Sequence, residues 1–79
     1  MIELPHNPET VELITDEQWL DGMRLHRDRL LAESDWTQTL DAPLTDEQQA
    51  AWATYRQQLR DAPANWTPGP TWDAPEPPA

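Results

Sequence analysis

The tetrapeptide Thr-Asp-Glu-Gln occurs twice, at Thr15–Gln18 and at Thr45–Gln48, and no other feature constrains the chain as much. A threonine followed three residues later by glutamine is a capping box. The hydroxyl accepts the N–H of the third helical residue, and the amide returns to the threonine's own N–H. The residues that follow do not repeat: Trp19 stands against Gln49 and Leu20 against Ala50. The pair therefore marks two helix starts and not a duplicated unit.

Apolar spacing carries both helices onward. Trp19, Leu20, Met23, His26, Leu30 and Leu31 fall on one face at helical periodicity, with Leu25 pointing elsewhere. Ala51, Trp52, Tyr55 and Leu59 form the second stripe. The first helix is expected from about Asp16 to Ser34, with Gly22 weakening it by about 1 kcal/mol relative to alanine. The second is expected from about Asp46 to Asp61, with Pro43 and Pro63 punctuating the outer ends. Asp16, Glu17, Asp46 and Glu47 suit first turns, and Arg56 and Arg60 suit a last turn, as the helix dipole requires. Asp21–Arg24 and Arg29–Glu33 have the spacing of helical ion pairs. The fold class is thus all-α: a small two-helix hairpin, residues 15–62, between two unlike ends.

The N-terminal end, residues 1–14, alternates Ile2 and Leu4, then Val11 and Leu13, around Pro5-His6-Asn7-Pro8-Glu9. A short β-hairpin, an extended arm that pairs with another chain's sheet edge, and simple disorder all fit it. The C-terminal end, residues 63–79, holds six prolines with Trp66 and Trp72. Proline at this density opposes helix and sheet and favours an extended tail. Its tryptophans call for a surface to dock on, either the chain's own helices or a partner.

Composition narrows the function. Seventy-nine residues allow one small domain, and the absence of cysteine removes disulfides and thiolate metal sites. No apolar run approaches the roughly 18 residues of a membrane span, and Met1–Thr15 does not read as a signal peptide, so a soluble cytoplasmic protein is expected. A net charge of −10 argues against direct nucleic-acid binding, because nothing here releases counterions from phosphates. Catalysis has little support. His6 and His26 lie far apart, and His26 reads as a core-edge histidine. Ser34 stands at a helix end, where a capping role is expected. There is no glycine-rich phosphate loop and no calcium-loop spacing. No enzyme activity, cofactor or metal is expected. Asn65-Trp66-Thr67 matches a glycosylation acceptor without a secretory route. Pro5–Pro8 and Pro75–Pro78 have Pro-x-x-Pro spacing but no flanking Arg or Lys.

What remains is aromatic surface. Two helices have little facing area for five Trp and one Tyr, and these residue types favour interfaces. Trp36 falls between the helices, either plugging the open end of the hairpin or exposed for binding. Trp36, Trp52, Tyr55, Trp66 and Trp72 are the candidate partner-binding residues. Replacing Trp66 and Trp72 with alanine is expected to weaken partner binding and leave the helical signal nearly unchanged, if the tail docks on a partner.

The run Arg27–Gln38, containing Ser34-Asp35-Trp36-Thr37-Gln38, then Asp41-Ala42-Pro43-Leu44 with Glu47-Gln48, then Trp52 with Tyr55-Arg56 and Leu59-Arg60-Asp61, resembles the tail assembly chaperone and tail-fibre-assembly-like proteins of tailed bacteriophages. The resemblance covers about residues 27–61. This chain departs where the family commonly continues Gln-Leu-Pro after Trp-Thr; it has Gln38-Thr39-Leu40. Trp66-Thr67-Pro68 and Trp72-Asp73-Ala74-Pro75 stand where the family usually carries Phe-Pro and Val-Trp-Pro.

The resemblance implies a non-enzymatic protein that binds a phage tail or tail-fibre subunit through aromatic surface and extended ends. It would act in the host bacterial cytoplasm, with the virion tail as its place if it remains a structural subunit. The partner is then a tail or tail-fibre protein, with neither membrane nor nucleic acid involved and self-association left open. The rival reading is an acidic DNA mimic that inhibits a host nuclease or CRISPR effector, against which Arg24, Arg27 and Arg29 interrupt the acidity of the first helix.

Overall fold

A computed structural model describes residues 1–78; Ala79, the last residue of the expected tail, lies outside the described residues. Two antiparallel helices, α1 (Asp16–Ser34) and α2 (Asp46–Asn65), form the body of a rod-shaped molecule that measures 47 × 19 × 18 Å overall. Both capping boxes close with the same geometry. Gln18 and Gln48 N–H groups donate to Thr15 and Thr45 Oγ1 at 3.1 Å, and each glutamine Oε1 accepts from its threonine N–H at 2.9 Å. The helical hairpin and the start and end of the first helix follow the sequence reading.

The second helix does not stop at Asp61. It continues through Pro63 to Asn65. Proline removes a single donor, the N–H that would bond the Leu59 carbonyl, and only two helical residues follow it. Asn65 Nδ2 donates to the Asp61 carbonyl at 3.2 Å and helps to hold this last turn. The extension removes Arg56 and Arg60 from the last turn, which holds no basic residue. Ala51 is exposed, and the inward stripe runs through Trp52, Tyr55, Leu59 and Ala62 instead. Asp21 and Arg24 pair at 3.7 Å. Arg29 and Glu33 do not pair; on this part of α1 it is Arg27 that engages a carboxylate, that of its neighbour Asp28, at 2.9 Å.

The N-terminal end takes the extended form and not the hairpin. Val11–Leu13, expected as a possible return strand, is a 3-10 turn. Strand β1 (Ile2–Glu3) pairs antiparallel with β2 (Thr71–Trp72) of the same chain, Ile2 opposite Trp72. One bond beyond the pair, Leu4 N–H donates to the Pro70 carbonyl at 2.8 Å. The tail thus folds back, and the two ends together form a lid over the helices.

That lid supplies the area two helices lack. The core comprises Leu4 from the arm, Trp19 and Met23 from α1, Tyr55 and Leu59 from α2, and Trp72 from the tail. Leu4, Met23 and Leu59 are fully buried. His6 meets the Trp19 ring edge-on at 5.2 Å, and His26 meets Trp72 edge-on at 6.0 Å, so both histidines serve as flat walls of the core.

Candidate functional site: the aromatic turn end of the hairpin

The site is built where α1 gives way to α2. After Ser34 the backbone tightens into a 3-10 turn, Asp35–Gln38. Three residues per turn place Ser34 and Thr37 above one another, and both are buried, whereas Trp36 is 48% exposed. The Thr37 hydroxyl donates to the Ser34 carbonyl at 2.6 Å, and Ser34 Oγ donates back to the Leu30 carbonyl at 2.9 Å.

Arg56 reaches across from α2 to lock this turn. Its Nη1 donates to the Leu31 carbonyl at 2.6 Å and to Ser34 Oγ at 2.7 Å, and its Nη2 donates to Asp35 Oδ1 at 2.7 Å. The guanidinium therefore sits at the negative end of the α1 dipole, where a cation is stabilising and the last carbonyls lack helical partners. A cation at a helix C-terminus was expected of Arg56, but the helix it serves is α1, not its own. Glutamines tie the next stretch. Gln49 Nε2 donates to the Thr37 and Thr39 carbonyls at 3.2 and 2.9 Å, and Gln38 Nε2 donates to the Gln49 carbonyl at 3.3 Å.

In the run Ser34–Gln38, the polar side chains are thus spent on holding the corner. Trp36 is the one that presents a large apolar face. Its ring lies 6.3 Å from Trp52, which meets Tyr55 edge-on at 5.6 Å. Leu40, fully exposed, extends the apolar surface beside it in sequence. Tyr55 lies at the root of this row. Burial, with the Glu33 carboxylate as a lesser cause, pushes its phenol above the ordinary value of 10.0.

The five candidate aromatics separate into two groups. Trp36, Trp52 and Tyr55 lie together at the turn end. Trp66 and Trp72 lie at the other, roughly 20 Å away along α2 at 1.5 Å per residue, where both line a cavity of about 400 Å³ with Ala62 and Pro75. Tyr55 and Trp72 are buried in the chain's own core; Trp36, Trp52 and Trp66 retain accessible surface. Trp66 Nε1 donates to the Thr71 carbonyl at 3.1 Å, which fixes the bend into β2. Sequence reasoning missed Arg56, Asp35 and Thr37 as the residues that pose Trp36. The legible signal was the set of short hydrogen-bonding residues on both sides of that tryptophan.

Among the described residues, no group of three or more His, Asp or Glu could hold a metal ion, and no helix is long and apolar enough to cross a membrane.

The family model described as phage tail assembly chaperone protein matches residues 20–79. The chain belongs to the phage tail assembly chaperone family. The match is wider than the 27–61 stretch that carries the sequence resemblance, and it takes in the tail with Trp66 and Trp72. Comparison with curated proteins and with solved structures finds no match. Membership of the chaperone family points to a role in assembly. The matched region includes every residue of the corner that holds Trp36 outward.

Proposed function

We propose that this protein is a non-enzymatic assembly factor that binds a phage tail or tail-fibre subunit in the host cytoplasm. The contact surface is Trp36 with Trp52 at the turn end, backed by Tyr55. Trp66 at the far end offers a second contact, and the extended ends, with Trp72, join the interface only where the lid opens. The observation that carries this reading is the pose of Trp36. A half-exposed tryptophan whose backbone is fixed by the hydrogen bonds of the corner has less freedom left for binding to remove, and aromatic anchors dominate interface energies. The charge pattern gives less support to a DNA mimic, because Arg24 and Arg27 pair with the carboxylates beside them.

The test is affinity capture of the tagged protein from phage-producing cells, with mass spectrometry of the soluble fraction and of purified particles. A tail or fibre protein in the soluble fraction, with this chain absent from particles, is the expected result. Retention in particles would make it a structural subunit, and capture of a host nuclease or effector would replace the assembly reading. Trp36→Ala is expected to reduce capture of the partner at least tenfold while changing folding stability by no more than about 0.5 kcal/mol, as for an exposed site.

A further inference from the structure

The Pro-x-x-Pro motif at Pro75–Pro78 has no function assigned so far, yet it lies against two residues of the surface just described, Trp52 and Tyr55. Pro75 shares a cavity with Gln58, and Pro78 shares one with Ala51 and Trp52. Seven helical residues rise about 10 Å, and three residues of polyproline-like chain span about 9 Å. The tail beyond β2 therefore runs extended and antiparallel to α2. Pro77 lies over a cleft between the helices walled by Leu30, Glu33, Ser34, Trp52 and Tyr55. Proline against an aromatic groove is a general recognition mode for extended segments, and here it occurs within one chain.

The fit is incomplete in two respects. A cavity of about 230 Å³ remains beside Pro77, so the cleft is larger than its occupant. The strap also carries the wrong charge. Glu76 precedes Pro77 in the chain, while Glu33 walls the cavity beside Pro77 and Glu47 the one beside Pro78, in a chain of net charge −10. Like charges give no electrostatic attraction.

From these features we infer that the Trp52–Tyr55 groove is a binding site for an extended, proline-containing segment of another protein, and that residues 75–78 occupy it in cis as a displaceable strap. The segment it fits best carries a basic residue where Glu76 lies and an apolar side chain larger than proline where Pro77 lies. The inference builds on the assembly reading only in treating that segment as part of the client, since groove binding is measured without it.

The strap competes at the high effective concentration of a tethered ligand, and this supplies the test. The peptide D-A-P-R-L-P is titrated into the isotopically labelled full chain, and the indole N–H signals of Trp52 and Trp36 are followed by NMR. A saturable shift of Trp52 is expected, at least fivefold tighter in the Pro77→Gly/Pro78→Gly variant, whose strap is loosened. The peptide D-A-P-E-P-P, titrated into the unaltered chain, is expected to bind at least tenfold more weakly, a comparison independent of how the variant folds. Failure to saturate, a Trp52 signal that does not move, equal affinity of the two peptides, or equal affinity in a folded variant would each overturn the proposal. Such a failure leaves the Trp36 capture result standing, and a failed capture leaves the titration standing.

Discussion

The two ends of the rod are held by opposite means. At the turn end, one guanidinium, two hydroxyls and two glutamines fasten the chain, and the large aromatic is left outside. At the far end a two-residue strand pair carries little hydrogen bonding, and closure comes from burying Leu4 and Trp72. Polar networks are directional and set geometry, whereas apolar burial is non-directional and supplies most of the stability. The contrast teaches where to look for function in a chain this short: at the end where polar groups spend their specificity on posing a residue that contributes little to the fold.

The strongest way to break the comparison is at the far end. Trp72→Ala removes a buried tryptophan and is expected to cost about 3–5 kcal/mol. A small domain has little more than this in total, so far-UV circular dichroism should show substantial loss of helix at ambient temperature. A helical signal that survived with an unchanged urea midpoint would mean that the lid is not part of the core. Loss of helix is the outcome expected where the tail docks on the chain's own helices, the alternative to docking on a partner, under which the helical signal would survive the loss of Trp66 and Trp72.

Arg56→Ala should cost less, about 2–3 kcal/mol, because the Leu31 carbonyl and the Ser34 hydroxyl lose a donor inside the corner. Its sharper consequence is loss of pose: partner capture should fall as it does for Trp36→Ala, although Trp36 is intact. Capture unaffected in a folded Arg56→Ala chain would separate the polar corner from the binding surface.

Gly22→Ala is smaller and opposite in sign. A Cβ at Gly22 meets nothing within 4 Å, so the substitution should raise stability by about 0.5–1 kcal/mol, visible as a higher urea midpoint. It also supplies a stabilised background in which to measure partner capture by the Arg56→Ala variant.

The last expectation concerns Tyr55, at the root of the aromatic row. Because its folded-state pKa is raised, by burial first and by Glu33 second, its contribution is fully present below the ordinary tyrosine value. It is lost as pH rises through the raised value. Chemical denaturation at increasing alkaline pH should therefore show stability falling in that window, and Tyr55→Phe should reduce the fall.

How much of this was legible in the sequence depends on the range of the interaction. Helix starts are local, and Thr15–Gln18 and Thr45–Gln48 announce them fully. The end of α1 at Ser34 is local too. Pro63 misled because a proline removes one hydrogen bond, here the one to the Leu59 carbonyl, and the loss of that single bond does not stop a helix that has only two residues left to run. Pairing of Ile2 with Trp72 has no local signature, since two-residue strands carry almost no pattern. Arg56 was recognised as a cation suited to a helix end, but which helix it serves depends on how α1 and α2 cross. At the candidate site, the sequence offered five aromatics without dividing them; that they fall at two ends, and that Trp36 faces out while Tyr55 and Trp72 face in, rests on the corner and the lid.

The β1–β2 pair also bears on the order of events in folding. Its strands lie about seventy residues apart, so bringing them together closes a loop spanning nearly the whole chain, whereas each helix forms from neighbours. Local helix formation takes about a microsecond, and long-range closure is slower because its entropy must be lost before any contact forms. During synthesis the arm emerges first and waits through both helices for its partner strand. For that interval Trp19 and Leu59 lack their cover, and the nascent hairpin is stickier than the finished molecule.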